Sequence, residues 1–209
     1  MVKSLFIDST NCSTELCVLG GNFNTDKSPF SKHSTCSQHR KGYTAVYSTL
    51  FSHLKDKNFN LAEIGIEVGA SLKLWKSYFK GARICGFEFM EEKIEACKKM
   101  DTISDLEYYK LDITKRSSII EAFDSADTLF DLIIEDTTHT IEDQNNCIST
   151  VHKYMNPGGI LIIEDIYRNV DYSKYIIDES IWSFSTFITC HHAKRHCWDN
   201  DVILYLVKR

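Results

Sequence analysis

The sequence predicts a doubly wound α/β fold with a mostly parallel sheet of about seven strands, preceded by a lid segment. Three observations carry this expectation. From residue 43 onward, short apolar runs alternate with stretches of helical spacing. The runs at 130–134, apolar apart from Asp131, and at 160–163 have the pattern of strands covered on both faces of a parallel sheet. Glycines cluster in the turn after the first of the strands, where a chain that binds ligands beyond the carboxyl ends of its strands would need them.

The elements follow in order. Residues 1–42 are rich in Ser, Thr, Asn and Gly and keep no sustained period, so they read as loops and short elements forming a lid or cap. Residues 43–209 read as the main domain. Val46, Tyr47, Leu50, Phe51 and Leu54 recur at helical spacing and give one amphipathic helix ahead of the core. Strand and helix then alternate at 61–66 and 72–79, 83–88 and 91–99, and 108–111 and 117–123. A strand at 130–134 and a helix at 141–154 come next. Asn156-Pro157-Gly158-Gly159 reads as a turn placed directly before the strand at 160–163. An irregular stretch at 173–183 leads to two last strands, 184–190 and 202–207, expected as an edge hairpin.

Charge narrows the partners. With 29 acidic and 24 basic residues the net charge is −5, leaving no excess of cations to neutralise a nucleic-acid backbone. The N-terminal apolar run breaks at Asp8 and reaches neither a signal-peptide core nor a membrane span, so the expectation is a soluble, cytoplasmic protein with no membrane partner. The eight cysteines run from Cys12 to Cys197 without a C-x-x-C pair and read as reduced thiols, Cys85 and Cys97 as small buried hydrophobes.

The turn after the first core strand reads Glu63-Ile64-Gly65-Ile66-Glu67-Val68-Gly69-Ala70-Ser71. Its glycines let a ligand approach the backbone, but Glu67 at a helix N-terminus opposes a pyrophosphate, which points away from a dinucleotide and towards a cofactor without phosphates. Glu88 ends the second strand, where it either accepts hydrogen bonds from ribose hydroxyls or is a solvated strand end. Asp112 either accepts from an adenine amino group or caps the helix beginning near Thr114.

Here the chain resembles class I S-adenosylmethionine-dependent methyltransferases, whose E/D-x-G-x-G-x-G motif is matched at Glu63, Gly65 and Gly69, with Glu67 in place of the middle glycine. The resemblance implies a Rossmann-like seven-stranded sheet, S-adenosyl-L-methionine as cofactor, and cofactor contacts from Glu63, Gly65, Gly69, Ser71, Glu88, Asp112 and Glu135.

Two acidic pairs emerge at one edge of the sheet, Glu135-Asp136 and Glu164-Asp165. Their mutual repulsion would be relieved by a divalent cation, and Asp136, Glu164 and Asp165 are hard oxygen ligands suited to Mg²⁺. His139 follows Asp136 by three residues and is placed to take a proton from a substrate hydroxyl; the blander readings are a helix cap or a buried neutral histidine.

These positions are similar to the macrocin and mycinamicin sugar O-methyltransferases. That resemblance implies metal ligation by Asp136, Glu164 and Asp165 and a catalytic pair of Asp136 and His139. Thr25-Asp26-Lys27 and the stretch from His39 to Thr44 look like that family's T-D-K and H-G-Y segments, which implies cofactor contacts from Thr25 and Lys27. The implied acceptor is a hydroxyl of a 6-deoxyhexose such as rhamnose, on a glycan or glycoside. In overall look the chain is also similar to glycan-modifying methyltransferases of large algal viruses. A catechol-type O-methyltransferase and a non-catalytic binding module remain alternatives, and a homo-oligomer remains open.

The cluster of Cys190, His191, His192, His196 and Cys197 fits no common zinc spacing and is not read as a metal site. Its His191, together with Lys194 and Arg195, is left open as an acceptor contact. Trp182, Trp198, Tyr167 and Tyr172 either stack on a sugar ring or pack.

Overall fold

The computed structural model describes residues 3–32, 39–100 and 105–209; part of the expected lid, 33–38, lies outside them. The described residues form one mixed eight-stranded sheet with six α-helices. In chain order these are β1 (Ser4–Asp8), α1 (Glu15–Asn22), α2 (Tyr43–Leu50), β2 (Phe59–Ile64), α3 (Ala70–Tyr78), β3 (Ala82–Glu88), α4 (Glu91–Met100) and β4 (Leu106–Lys110). They continue with α5 (Arg116–Ala126), β5 (Phe130–Glu135), α6 (Ile141–Thr150), β6 (Met155–Ile166), β7 (Trp182–His191) and β8 (Val202–Lys208).

The strand order is β1-β7-β8-β6-β5-β2-β3-β4. Pairs from β6 through β5, β2 and β3 to β4 are parallel, whereas β8 runs antiparallel to both β6 and β7. Successive residues of a strand point to opposite faces, so β2 sends Ala62 and Ile64 into one core and Leu61 into the other. The first core takes Ile119 and Phe123 from α5 and Cys147 and Ile148 from α6. The second takes Leu16, Tyr47, Leu72 and Trp75 from α1, α2 and α3. Both faces are thereby covered, which is why these strands are largely apolar. Among the described residues no helix is long and apolar enough to cross a membrane.

Three expectations are corrected. The sheet has eight strands, because the N-terminal segment contributes β1, which pairs in parallel with β7, Ser4 opposite Phe187. That strand is mostly exposed and carries no apolar alternation, so its sequence gave no period to detect. For the same reason the β7–β8 hairpin is not the sheet edge: β8 is inserted beside β6 and β1 covers β7. The Asn156–Gly159 turn lies inside β6, as an irregularity between the pairs Phe130–Met155 and Leu132–Ile160, with Gly158 at φ +79°.

The order reverses between β5-β2 and β2-β3, so a crevice opens beyond the carboxyl end of β2. The carboxyl ends of β2, β3, β5 and β6 all meet it.

Candidate active site

A cavity of about 790 Å³ lies over these strand ends. Thr25, Asp26 and Lys27 of the N-terminal segment form one wall; Gly65, Ser71 and Glu88 form another; Asp136, His139 and Asp165 line the deep side.

The turn after β2 is shaped by contact with β5. Gly65 has φ +88°, and a Cβ there would run into the carbonyl of Asp136. Gly69, at φ +71°, is the N-cap of α3. Glu67 takes a left-handed conformation as well, φ +48°, and turns its carboxylate outward to Lys93. The loop therefore keeps the backbone that a glycine would adopt at this position, at the cost of some strain.

Glu88 is buried rather than a solvated strand end. Its Oε1 accepts from the backbone N–H groups of Phe89 (2.9 Å) and Met90 (3.0 Å), and its Oε2 from Ile66 and Glu67 at 3.3 Å. Asp112 lines the cavity and is also engaged locally, accepting from Thr114 and pairing with Lys115 at 2.8 Å; these hold its carboxyl below the usual range. Ser71 and Thr25 reach the cavity wall with little exposure.

The centre of the deep side is the ammonium of Lys27. It donates to Asp136 Oδ2 at 2.5 Å and Glu164 Oε2 at 2.6 Å, and lies 3.3 Å from Glu63 Oε1. Burial works against its charge, yet Asp136, Glu164 and Glu63 hold its pKa well above the ordinary value. Burial opposes the Asp136 charge too, but Lys27 first, then His139 and Lys41, keep that carboxyl well below its usual range. Burial pushes the Glu164 and Glu63 carboxyls upward, so Lys27 carries its charge chiefly against Asp136.

Several of the residues singled out from the sequence lie off the cavity wall. Glu164 is not among the cavity-lining residues and does not converge with Asp136, His139 and Asp165; its oxygens accept from Lys27 and from the Tyr47 hydroxyl at 2.7 Å. Glu63 accepts from the Trp75 indole N–H at 2.9 Å and supports the cluster from beneath instead of facing the cavity. Glu135 is buried behind Thr137, which donates to its Oε1, and is likewise off the cavity wall. The Lys27 ammonium is spent on carboxylates. The repulsion that argued for a cation is thus relieved in part by two lysines, since the Lys41 ammonium donates to Asp165 Oδ2.

Asp136, His139 and Asp165 do converge, each offering a ligand atom within 4.8 Å of the others. His139 Nδ1 lies 3.9 Å from Asp136 Oδ1 and Nε2 lies 3.7 Å from Asp165 Oδ2. Nδ1 is buried without a hydrogen-bond partner. His139 and Asp165 both have positive φ, +60° and +59°, so two of the three groups sit on left-handed backbone. Asp165 is held by the Tyr43 hydroxyl on Oδ1 at 2.9 Å and by Asn200 Nδ2 on Oδ2 at 2.9 Å.

Lys41 and Tyr43 fall in the His39–Thr44 stretch that the resemblance marks, without individual roles; Tyr47 reads only as part of an apolar helix face, and Asn200 is not singled out. Tyr43 and Tyr47 are four residues apart on α2 and so share a face, and their two hydroxyls are the available cue. Nothing local marks Asn200. The Cys190–Cys197 segment binds itself, with Arg195 donating to His191 Nδ1 and Cys197 Sγ, both at 3.3 Å.

The methyltransferase domain family matches residues 49–201. The chain belongs to the methyltransferase domain family. Within it, the chain is 26% identical over 133 residues to 8-demethyl-8-alpha-L-rhamnosyl tetracenomycin-C 2'-O-methyltransferase of Streptomyces olivaceus, covering 59% of this chain and 33% of that one. It is 26% identical over 136 residues to mycinamicin VI 2''-O-methyltransferase of Micromonospora griseorubida, covering 60% and 31%. The chain thus spans about a third of the length of these curated relatives. The solved structure of the MycE methyltransferase from the mycinamycin biosynthetic pathway, in complex with Mg and SAH, superposes with a TM-score of 0.67 at 16% identity, over 94% of this chain and 54% of that one. The shared architecture is the class I methyltransferase fold.

Glu135 provides a test of the buried acids. Burial, opposed by the Thr137 hydrogen bonds, pushes its carboxyl up to about 8. A carboxyl raised in the folded state stabilises fully below its unfolded pKa, near 4.5, and that contribution is lost as pH rises through about 8. Urea unfolding between pH 5 and 8 should therefore show wild-type stability falling more steeply than that of Glu135→Gln. Parallel pH profiles would contradict the assignment.

Proposed function

We propose that the chain is an S-adenosylmethionine- and Mg²⁺-dependent O-methyltransferase acting on a hydroxyl of a 6-deoxyhexose, such as rhamnose, on a glycan or glycoside. The observation that carries the reading is one cavity with a glycine turn and a buried acid on one side and Asp136, His139 and Asp165 on the other. The rhamnosyl and mycinamicin acceptors in the names of the relatives support the sugar class.

The residues fit a cofactor without phosphates. Gly65 leaves room for close backbone approach, Glu88 lies on the cavity wall and fixes the turn after β2 through the Ile66 and Glu67 N–H groups, and the exposed side chains of Phe89 and Met90 offer apolar surface for a purine. When bound, S-adenosylmethionine supplies a methyl group on a positively charged sulfur. The donor set fits a hard divalent cation at Asp136 and Asp165, which face the cavity; bound there, it would lower the pKa of an acceptor hydroxyl.

The chain's own contribution is positioning and proton transfer. His139 holds a proton at Nδ1, towards Asp136, and receives the hydroxyl proton at Nε2, where the Asp165 carboxylate 3.7 Å away stabilises the resulting imidazolium. The hydroxyl oxygen takes the methyl as the carbon–sulfur bond breaks, so no covalent enzyme intermediate forms. The buried thiols of Cys85 and Cys147 suit a reducing, cytoplasmic setting.

Methyl transfer to a rhamnoside, followed with isotopically labelled cofactor, tests the reading. His139→Ala should lower turnover by about 10²-fold or more while calorimetric affinity for S-adenosylhomocysteine is kept; near-normal turnover would remove His139 from the mechanism. Exhaustive chelation should abolish activity and added Mg²⁺ should restore it. Activity that survives chelation would overturn the cation assignment.

A further inference from the structure

Of the three tryptophans, Trp75 and Trp182 are buried, whereas Trp198 is 68% exposed, and it lines the same cavity as Asp136, His139 and Asp165. An exposed indole on its own carries no message. This one is fixed in place. Its backbone N–H donates to Asn200 Oδ1 at 3.2 Å, and the same Asn200 side chain, itself buried, donates from Nδ2 to Asp165 Oδ2 at 2.9 Å. One amide therefore ties the position of the indole to that of the carboxylate.

The surrounding loop is held as firmly. Asp199 sits at φ +59°, a left-handed conformation that a non-glycine residue keeps only when its neighbours enforce it. Its carbonyl accepts from the Arg168 N–H at 2.9 Å and its carboxylate pairs with Arg195 at 3.1 Å. Across the cavity mouth, Arg40 and His196 exchange two backbone hydrogen bonds of 2.9 Å, joining the lid to this loop. The His39 ring stands perpendicular to the indole at 4.3 Å, yet most of the Trp198 surface stays open.

We propose that Trp198 is the platform on which the acceptor sugar lies, the apolar C–H face of a pyranose against the indole and its hydroxyl edge turned towards His139 and Asp165. The inference rests on the sugar O-methyltransferase reading above. A tryptophan offers a wide, rigid apolar surface at little entropic cost, and a pyranose presents an apolar face and a ring of hydroxyls. The cavity supplies the polar complement, with half-buried Asp26 on the lid wall as a further hydroxyl acceptor. Trp198 is accordingly a specificity-determining residue and takes no part in bond making.

Because the other two tryptophans are buried, acrylamide quenching of the intrinsic fluorescence reads Trp198. With S-adenosylhomocysteine present, methyl α-L-rhamnoside should shield the wild-type protein from acrylamide. Trp198→Ala should raise KM for that rhamnoside about tenfold, the factor that corresponds to 1.4 kcal/mol. Its kcat and S-adenosylhomocysteine affinity should be unchanged, and Trp198→Phe should recover part of the loss. Methylation of the rhamnoside with an unchanged KM in Trp198→Ala would overturn the platform and leave the function standing. Wild-type protein that binds S-adenosylhomocysteine but is neither shielded by the rhamnoside nor methylates it would overturn the sugar reading itself. Shielding by catechol in place of the rhamnoside would do the same.

Discussion

The arrangement depends on one buried ammonium. Lys27, from the segment ahead of the core, reaches the carboxyl ends of three separate strands, meeting Glu63 of β2, Asp136 after β5 and Glu164 of β6. Each of these acids is costly to bury alone, and so is the lysine. Together they form a network whose members are held by hydrogen bonds from Tyr47 and Trp75 as well. The N-terminal segment is therefore attached to the sheet electrostatically at the point where chemistry is proposed, and Asp136 is kept ionised and oriented by it.

A second, parallel attachment runs through Lys41 and Tyr43 to Asp165. The two lysines divide the work: one organises Asp136, the other Asp165, and His139 lies between the two carboxylates. Backbone strain gathers in the same place. Gly65, Glu67, His139 and Asp165 all have positive φ, so the strand ends turn sharply, and His139 and Asp165 present their side chains to the cavity. The burial on both faces of the sheet is what holds these turns in place.

Much of this was legible in the sequence, for identifiable reasons. Strands buried on both faces are largely apolar, so β5, broken only by Asp131, and the stretch 160–163 of β6 showed as apolar runs, and an acidic pair directly after such a run marks the sheet edge, as at Glu135-Asp136 and Glu164-Asp165. The glycine turn was visible because a Cβ at Gly65 cannot be accommodated. What stayed hidden depended on distant partners. β1 is exposed and pairs with a strand near the other end of the chain. Glu164 has the same local signature as Asp165, and only the fold shows that Asp165 lines the cavity whereas Glu164 lies behind it, against Lys27 and Tyr47. Asn200, which couples Trp198 to Asp165, has no local mark at all.

The central claim, that Lys27 holds the N-terminal segment and the strand-end acids together, is tested most directly by the unfolding free energy of Lys27→Met. Removing one partner of a buried ionic network costs about 3–5 kcal/mol, because it leaves carboxylates without a counter-charge. Denaturant unfolding should show a loss of that size, partly recovered when Asp136→Asn is added to the same chain. Stability close to wild type in Lys27→Met, or no recovery in the double variant, would contradict the account.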